Sequence, residues 1–155
     1  MIITFFGHSS IASYRMVGEI VKDIIRKNTS PSETISFYLG GYGDFDEICA
    51  SACRELRIEH RSVELIYVTP YMDLRGQSRI KELLKNDLYD ISVYPPLKGV
   101  PLRFAISKRN EWMARKSDLV IAYVKHNFGG AYKAVEFAKR NGKRIINVCN
   151  FLDTD

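Results

Sequence analysis

Two glycine-rich segments carry the clearest chemical signal in the sequence. The first reads Gly40-Gly41-Tyr42-Gly43-Asp44-Phe45-Asp46-Glu47, the second Gly129-Gly130-Ala131-Tyr132-Lys133-Ala134-Val135-Glu136. Each places a glycine pair between a strand-like and a helix-like stretch, with a glutamate seven positions after the first glycine. Glycine lets the backbone turn sharply and lets a ligand approach closely. The free N–H groups and the positive end of the following helix then favour phosphate. An acid in the first or second helical turn, Asp46 or Glu136, can reach back toward a ribose hydroxyl. Other readings stand beside these. The glycines would serve tight turns alone, Asp46 would be an N-cap, and Glu136 would pair with Lys133 or Arg140 on a solvated face. A third loop, Gly7-His8-Ser9-Ser10, follows the first strand-like run and offers His8 either as a ligand contact or as a turn residue.

Several familiar signatures are absent from the chain. It has no G-x-x-x-x-G-K-[ST], and Asp46 stands where the dinucleotide motif G-x-G-x-x-G needs its third glycine. No Ser-His-Asp arrangement or metal-ligand spacing is visible, so neither a metal nor a cofactor is expected.

The elements that must position these loops alternate. Strands are predicted at Ile2–Phe6, Ile35–Leu39, Val63–Thr69, Ile91–Tyr94, Asp118–Val124 and Arg144–Val148, each a short apolar run. The first helix is predicted to be capped by Ser9 or Ser10 and to reach about Lys27, with Val17, Ile20, Val21, Ile24 and Ile25 on one stripe. Later helices are predicted from near Asp46 to Glu59, Gln77–Lys85, Leu102–Lys116 and Ala131–Asn141, the last ended by Gly142 as a C′ residue. This order predicts one α/β domain over 1–155. Its sheet would be Rossmann-like, doubly wound and mostly parallel, with helices on both faces and right-handed crossovers. In such folds ligands lie outside the carboxyl ends of the strands, at the switch in strand order. All the glycines singled out above, Gly7, Gly40, Gly41, Gly43, Gly129 and Gly130, would then line one site.

Composition sets the limits. The 155 residues suit one domain, and 46% hydrophobic with 26% charged residues is a normal globular balance. The net charge of +5 favours anionic partners, but the basic residues are scattered among acids without a basic stripe interleaved with aromatics. Nucleic acid therefore ranks last among partners, behind a nucleotide-derived small molecule. Three cysteines, Cys49, Cys53 and Cys149, make no framework, which argues for a reducing compartment. Cys49 and Cys53, one helical turn apart beside alanines, read as buried thiols. With no signal-peptide pattern and no run of about 20 apolar residues, a cytoplasmic location without membrane contact is expected. An exposed apolar helix face would permit a homo-oligomer.

Taken in order, three stretches resemble the SLOG superfamily, the Rossmann-like group that joins the DNA-processing Smf/DprA proteins with the LOG phosphoribohydrolases. They are Gly7-His8, Gly40-Gly41-Tyr42-Gly43, and the block from Arg103 through Trp112-Met113 and Leu119–Val124 to Gly129-Gly130-Ala131-Tyr132. The resemblance spans nearly the whole chain, and the branch it is most similar to is that of small stand-alone bacterial and phage-type proteins. LOG enzymes carry a helix Arg-Lys pair and then P-G-G-x-G-T-x-x-E, and cleave the N-glycosidic bond of a nucleoside monophosphate. The resemblance implies that Arg109 matches the helix arginine and would hold phosphate. Gly129 and Gly130 match the glycine pair, and Glu136 the final glutamate, so the resemblance implies that Asp46 and Glu136 would contact ribose or assist glycosidic cleavage. The chain departs from that pattern with Asn110 for the lysine, Asn127-Phe128 before the glycines, Tyr132 at the third glycine and Lys133 at the threonine. The implied function is binding of a nucleotide or nucleotide-derived ligand, as sensor, sequestering protein or processing enzyme. The alternatives are a LOG-like or deoxyribosyltransferase-like enzyme and a DNA-binding module.

Overall fold

A computed structural model describes residues 1–59 and 61–152. Six strands form one sheet: β1 (Ile2–Gly7), β2 (Ile35–Leu39), β3 (Val63–Val68), β4 (Ile91–Val93), β5 (Leu119–Tyr123) and β6 (Arg144–Asn147). Their order is β4-β3-β2-β1-β5-β6, and every neighbouring pair is parallel. The central strands are apolar on both faces because both faces are covered. All five residues of β5 are buried, whereas the edge strands β4 and β6 have none that is.

Five helices supply the cover. α1 (Tyr14–Asn28), α2 (Asp44–Ile58) and α3 (Leu74–Lys85) follow the strands that build outward from β1. With one face of the sheet they enclose a core containing Phe5, Ile25, Phe37, Phe45 and Leu56. α4 (Ala105–Lys116) and α5 (Gly130–Arg140) flank β5 and close the other face over Phe6, Val68, Met113, Val120 and Ala138. Cys49 and Cys53 are buried free thiols on the inner side of α2, and burial pushes both well above the ordinary thiol range. Among the described residues, no helix is long and apolar enough to cross a membrane.

Strand boundaries and the starts of α2 and α5 fall within a residue or two of those predicted, and the other three helix starts differ by more. α1 begins at Tyr14 rather than beside Ser9 or Ser10. The cause lies outside the segment: Asp44 Oδ2 accepts the Ile11 N–H at 2.8 Å, and the Asp44 N–H donates to the Ser9 carbonyl at 2.9 Å. Residues 8–13 are thus held as a loop against the start of α2. α3 begins three residues earlier than predicted, because Asp73 caps it by accepting the Gly76 N–H at 2.9 Å. Leu102–Phe104 form a 3-10 turn ahead of α4. The end of α5 is as predicted. The Gly142 N–H donates to the Lys139 carbonyl and the Lys143 N–H to that of Ala138, the pair of hydrogen bonds of a left-handed helix terminus.

The crossing of α2 over the end of β1 depends on Gly7. A β-carbon there would lie 2.3 Å from the Phe45 ring, which is fully buried. Overpacking of this kind typically costs about 1–3 kcal/mol. Gly7→Ala is therefore expected to lower the unfolding free energy by about that amount in urea titrations. A change below about 0.5 kcal/mol would mean that Phe45 can swing aside freely.

Candidate functional site

The strand order reverses direction between β1 and β5, and at their carboxyl ends the loops part. The resulting cleft holds about 660 Å³. Its walls come from the loop after β1, from Gly40, Tyr42 and Asp46, from Ile106, Arg109, Asn110 and Met113 of α4, and from the loop between Tyr123 and Ala131. Of the residues singled out in the sequence, Gly7, His8, Ser9, Gly40, Asp46, Arg109, Gly129 and Gly130 line this cleft. Gly41 and Gly43 lie in the same loop as Gly40 but outside the lining. Glu136 is not brought there: it pairs with Lys139 at 3.2 Å on the surface of α5.

The glycines divide into two kinds when each is asked what a β-carbon would meet. At Gly40 it would press on the Arg109 guanidinium at 3.0 Å, at Gly41 on the Tyr67 ring at 2.6 Å, and at Gly43 on the Ser9 backbone at 2.8 Å. With Gly7 these glycines are accounted for by neighbouring protein. Gly129 and Gly130 have nothing within 4 Å. Gly129 also takes a φ of +94°, a conformation that side-chain-bearing residues rarely adopt. The protein leaves open space at this one glycine pair.

The two helix ends differ in charge as well. α2 opens with Asp44, Asp46 and Glu47 in its first turn, and Asp44 and Asp46 both accept backbone N–H groups, from Ile11 and from Tyr42 at 2.9 Å. Its positive end is already neutralised. α5 has no acid in its first turn and no side-chain cap, and its first intrahelical bond runs from the Lys133 N–H to the Gly129 carbonyl. The N–H groups of Gly130, Ala131 and Tyr132 therefore remain at a positive helix end that borders the cleft. The similarity of the two loops in sequence does not extend to their electrostatics.

Arg109 is neither a surface residue nor a two-pronged clamp free to hold an anion. It is 3% exposed. Its Nη1 donates to the carbonyls of Gly40 (3.0 Å) and Val68 (2.8 Å), and its Nε to Asn110 Oδ1 (3.0 Å). Nη2 has no hydrogen-bond partner among the described residues, and the side chain reaches the cleft lining. Burial draws the guanidinium below its usual range, opposed by the charge of Asp46. Burial likewise pushes the Asp46 carboxyl up to about 6, against the Tyr42 N–H and the Arg109 charge, which both favour ionisation.

Sequence reasoning named His8 but missed the groups that complete the opposite rim with it. His8 Nε2 accepts the Lys125 N–H at 2.8 Å, and the His8 N–H donates to the Tyr123 carbonyl at 3.2 Å. Burial, then the His126 and Lys125 charges, hold His8 below the usual imidazole range, in keeping with a ring nitrogen that accepts. His126 stacks on His8 with centroids 4.9 Å apart, and Phe128 on His126 at 5.1 Å. Asn147 fixes the start of the same loop by bonding the Val124 N–H and carbonyl at 3.3 and 2.9 Å. The i, i+2 spacing of His126 and Phe128 was the available signal, but their column needs His8 from another strand. Among the described residues, no group of three or more His, Cys, Asp or Glu side chains is gathered as a metal would require.

No protein-family model and no curated protein matches the chain. Solved structures do. DNA processing protein A from Helicobacter pylori, described for its single-stranded DNA binding mode, is 14% identical with a TM-score of 0.60, over 98% of this chain and 71% of that one. The molybdenum cofactor carrier protein from Chlamydomonas reinhardtii is 18% identical with a TM-score of 0.56, over 93% and 73%. At these identities the likeness is one of fold, and it matches the Rossmann-like architecture described above.

Two outcomes follow for the Arg109–Asp46 pair. Arg109→Ala strands two carbonyls, removes the positive charge beside the half-buried Asp46 carboxyl, and is expected to destabilise by about 2–4 kcal/mol. Arg109→Lys should recover less than half of this, because a point charge cannot serve both carbonyls and Asn110. Full rescue by lysine in urea unfolding would contradict the strut. Asp46 behaves oppositely with pH. Its folded value lies above the unfolded 3.8, so its contribution to stability is complete below that value and is lost as the pH rises through about 6. Asp46→Asn is therefore expected to stabilise by about 1–2 kcal/mol at pH 8 and to be neutral near pH 4, read from melting curves. An equal effect at both pH values would overturn this assignment.

Proposed function

We propose that this SLOG-type domain binds a nucleotide or nucleotide-derived small molecule in the cleft, with a phosphate at the start of α5. One observation carries the reading. Gly129 and Gly130 are the glycines of the site with open space above them, at a helix end bearing neither cap nor acid. Phosphate binding at such ends uses backbone N–H groups and the helix dipole together. Lys125 adds positive charge to the rim, and the buried Arg109 adds it to the floor. The cleft volume lies within the range of small-molecule sites.

The glycosidic-hydrolase reading is weaker. With Glu136 on the surface beside Lys139, Asp46 is the one acid among the described lining residues. Its elevated carboxyl is suited to proton transfer near neutrality, and release of free base from nucleoside monophosphates, followed by chromatography, would revive that reading. Binding of single-stranded nucleic acid draws on the Helicobacter neighbour, described for such binding, and on the exposed Phe128 ring, which lines the cleft together with Lys125. Anisotropy with a fluorescent oligonucleotide tests it directly.

Native mass spectrometry of freshly purified protein is expected to detect a bound phosphate-bearing ligand. The sharper test is Gly130→Asp. The position has room for a side chain, and an acid in the first helical turn stabilises the helix by about 0.3–1 kcal/mol. The variant should fold at least as stably as the parent yet bind nucleoside monophosphates more than about 10-fold more weakly in calorimetry. Unchanged affinity would exclude the α5 end as the phosphate site.

A further inference from the structure

The outermost ring of the aromatic column has no structural reason to stand where it does. Phe128 is 70% exposed, although a phenylalanine ring left in water is unfavourable. One of its faces lies on His126, tilted by 12°, and His126 lies on His8. The column is rooted at its inner end, where His8 Nε2 accepts the Lys125 N–H. Phe128 is therefore stacked on a column anchored in the fold, and it lines the same cleft as Gly129 and Gly130.

We propose that the outer face of Phe128 is a stacking subsite for a planar heteroaromatic ring, so that the ligand of this cleft is a mononucleotide-like molecule with ring and phosphate both bound. The inference rests on the phosphate reading above and adds the second half of the ligand. Phe128 and Gly130 are two positions apart, at most about 7 Å of backbone. A phosphate on the Gly130 and Ala131 N–H groups would therefore leave its attached base within reach of the Phe128 ring. The His126 face is already filled by Phe128, and the His8 face by His126, which leaves the outer face of Phe128 as the free end of the column. Every nucleobase has a π-face, so such a platform favours bases over sugars without choosing strongly among them.

The test compares a purine nucleoside 5′-monophosphate with ribose 5-phosphate, which keeps the anion and lacks the ring. Calorimetry is run on the parent, Phe128→Ala and Phe128→Trp. The parent should bind the nucleotide roughly 10- to 100-fold more tightly than ribose 5-phosphate. Phe128→Ala should erase that difference while leaving ribose 5-phosphate affinity unchanged, with circular dichroism verifying the fold. Phe128→Trp should preserve it, and its added indole fluorescence should be quenched by the nucleotide but not by ribose 5-phosphate. If both ligands bind and Phe128→Ala leaves their ratio intact, the phosphate site stands and the stacking subsite is overturned. If ribose 5-phosphate and the nucleotide both fail to bind the parent, the phosphate reading falls and the subsite falls with it.

Discussion

The guanidinium of Arg109 holds the site together. It enters from α4, on one face of the sheet, and reaches the Gly40 carbonyl just beyond β2 and the Val68 carbonyl at the end of β3. Those carbonyls belong to strand ends where the ladder stops and backbone acceptors lose their partners. A buried carbonyl without a donor is costly, and a charged donor serves two at once. A β-carbon at Gly40 would press on the Arg109 guanidinium at 3.0 Å. Asp46 sits close enough to Arg109 for the two charges to feel each other, and its carboxylate fixes the Tyr42 N–H. The floor of the cleft is thus one connected polar unit inside an apolar core.

That arrangement assigns different tasks to loops of similar sequence. The loop after β2 turns inward: Arg109, Tyr67 and Ser9 occupy the space against its glycines, and the carboxylates of α2 satisfy nearby N–H groups. The loop after β5 turns outward, fastened at its start by Asn147 and His8 and open at Gly129 and Gly130. A helix end whose dipole is already met by acids has little left for an anion, whereas an unmet one retains its full attraction. Electrostatic asymmetry between the two helix ends would give a ligand of the proposed kind a direction.

Much of the fold was legible because apolar runs and their punctuation are local. The run from Leu119 to Tyr123 and the glycine after α5 determine a strand and a helix stop through their immediate neighbours. The start of α1 was not legible, since the contact that sets it comes from Asp44, 33 positions away from Ile11. The site followed the same division. Glycine pairs after strands pointed to the right end of the sheet, but what fills the space over each glycine depends on side chains distant in sequence, such as Phe45 over Gly7. Glu136 resembled a site residue by its spacing, yet α5 turns Ala134, Val135 and Ala138 inward and leaves Glu136 beside Lys139. The aromatic column joins His8 to a loop 117 positions further on, and only the pairing of β1 with β5 brings them together.

The commitment of Arg109 to structure also constrains recognition. An arginine that holds a phosphate with two parallel bonds must have both arms of its fork free. Here Nη1 and Nε are occupied by protein acceptors, and Nη2 alone remains. The side chain therefore contributes a charge fixed in position, with no ordering entropy left to lose when a ligand arrives, rather than a fork. Directional contacts to an anion must then come from backbone N–H groups, and those are available at α5 and not at α2. Backbone donors read the shape and charge of a phosphate but little of what is attached to it. In the proposed reading, discrimination among phosphate-bearing ligands falls to the walls of the cleft, which the rings of His8, His126 and Phe128 line together with Tyr42 and residues of α4.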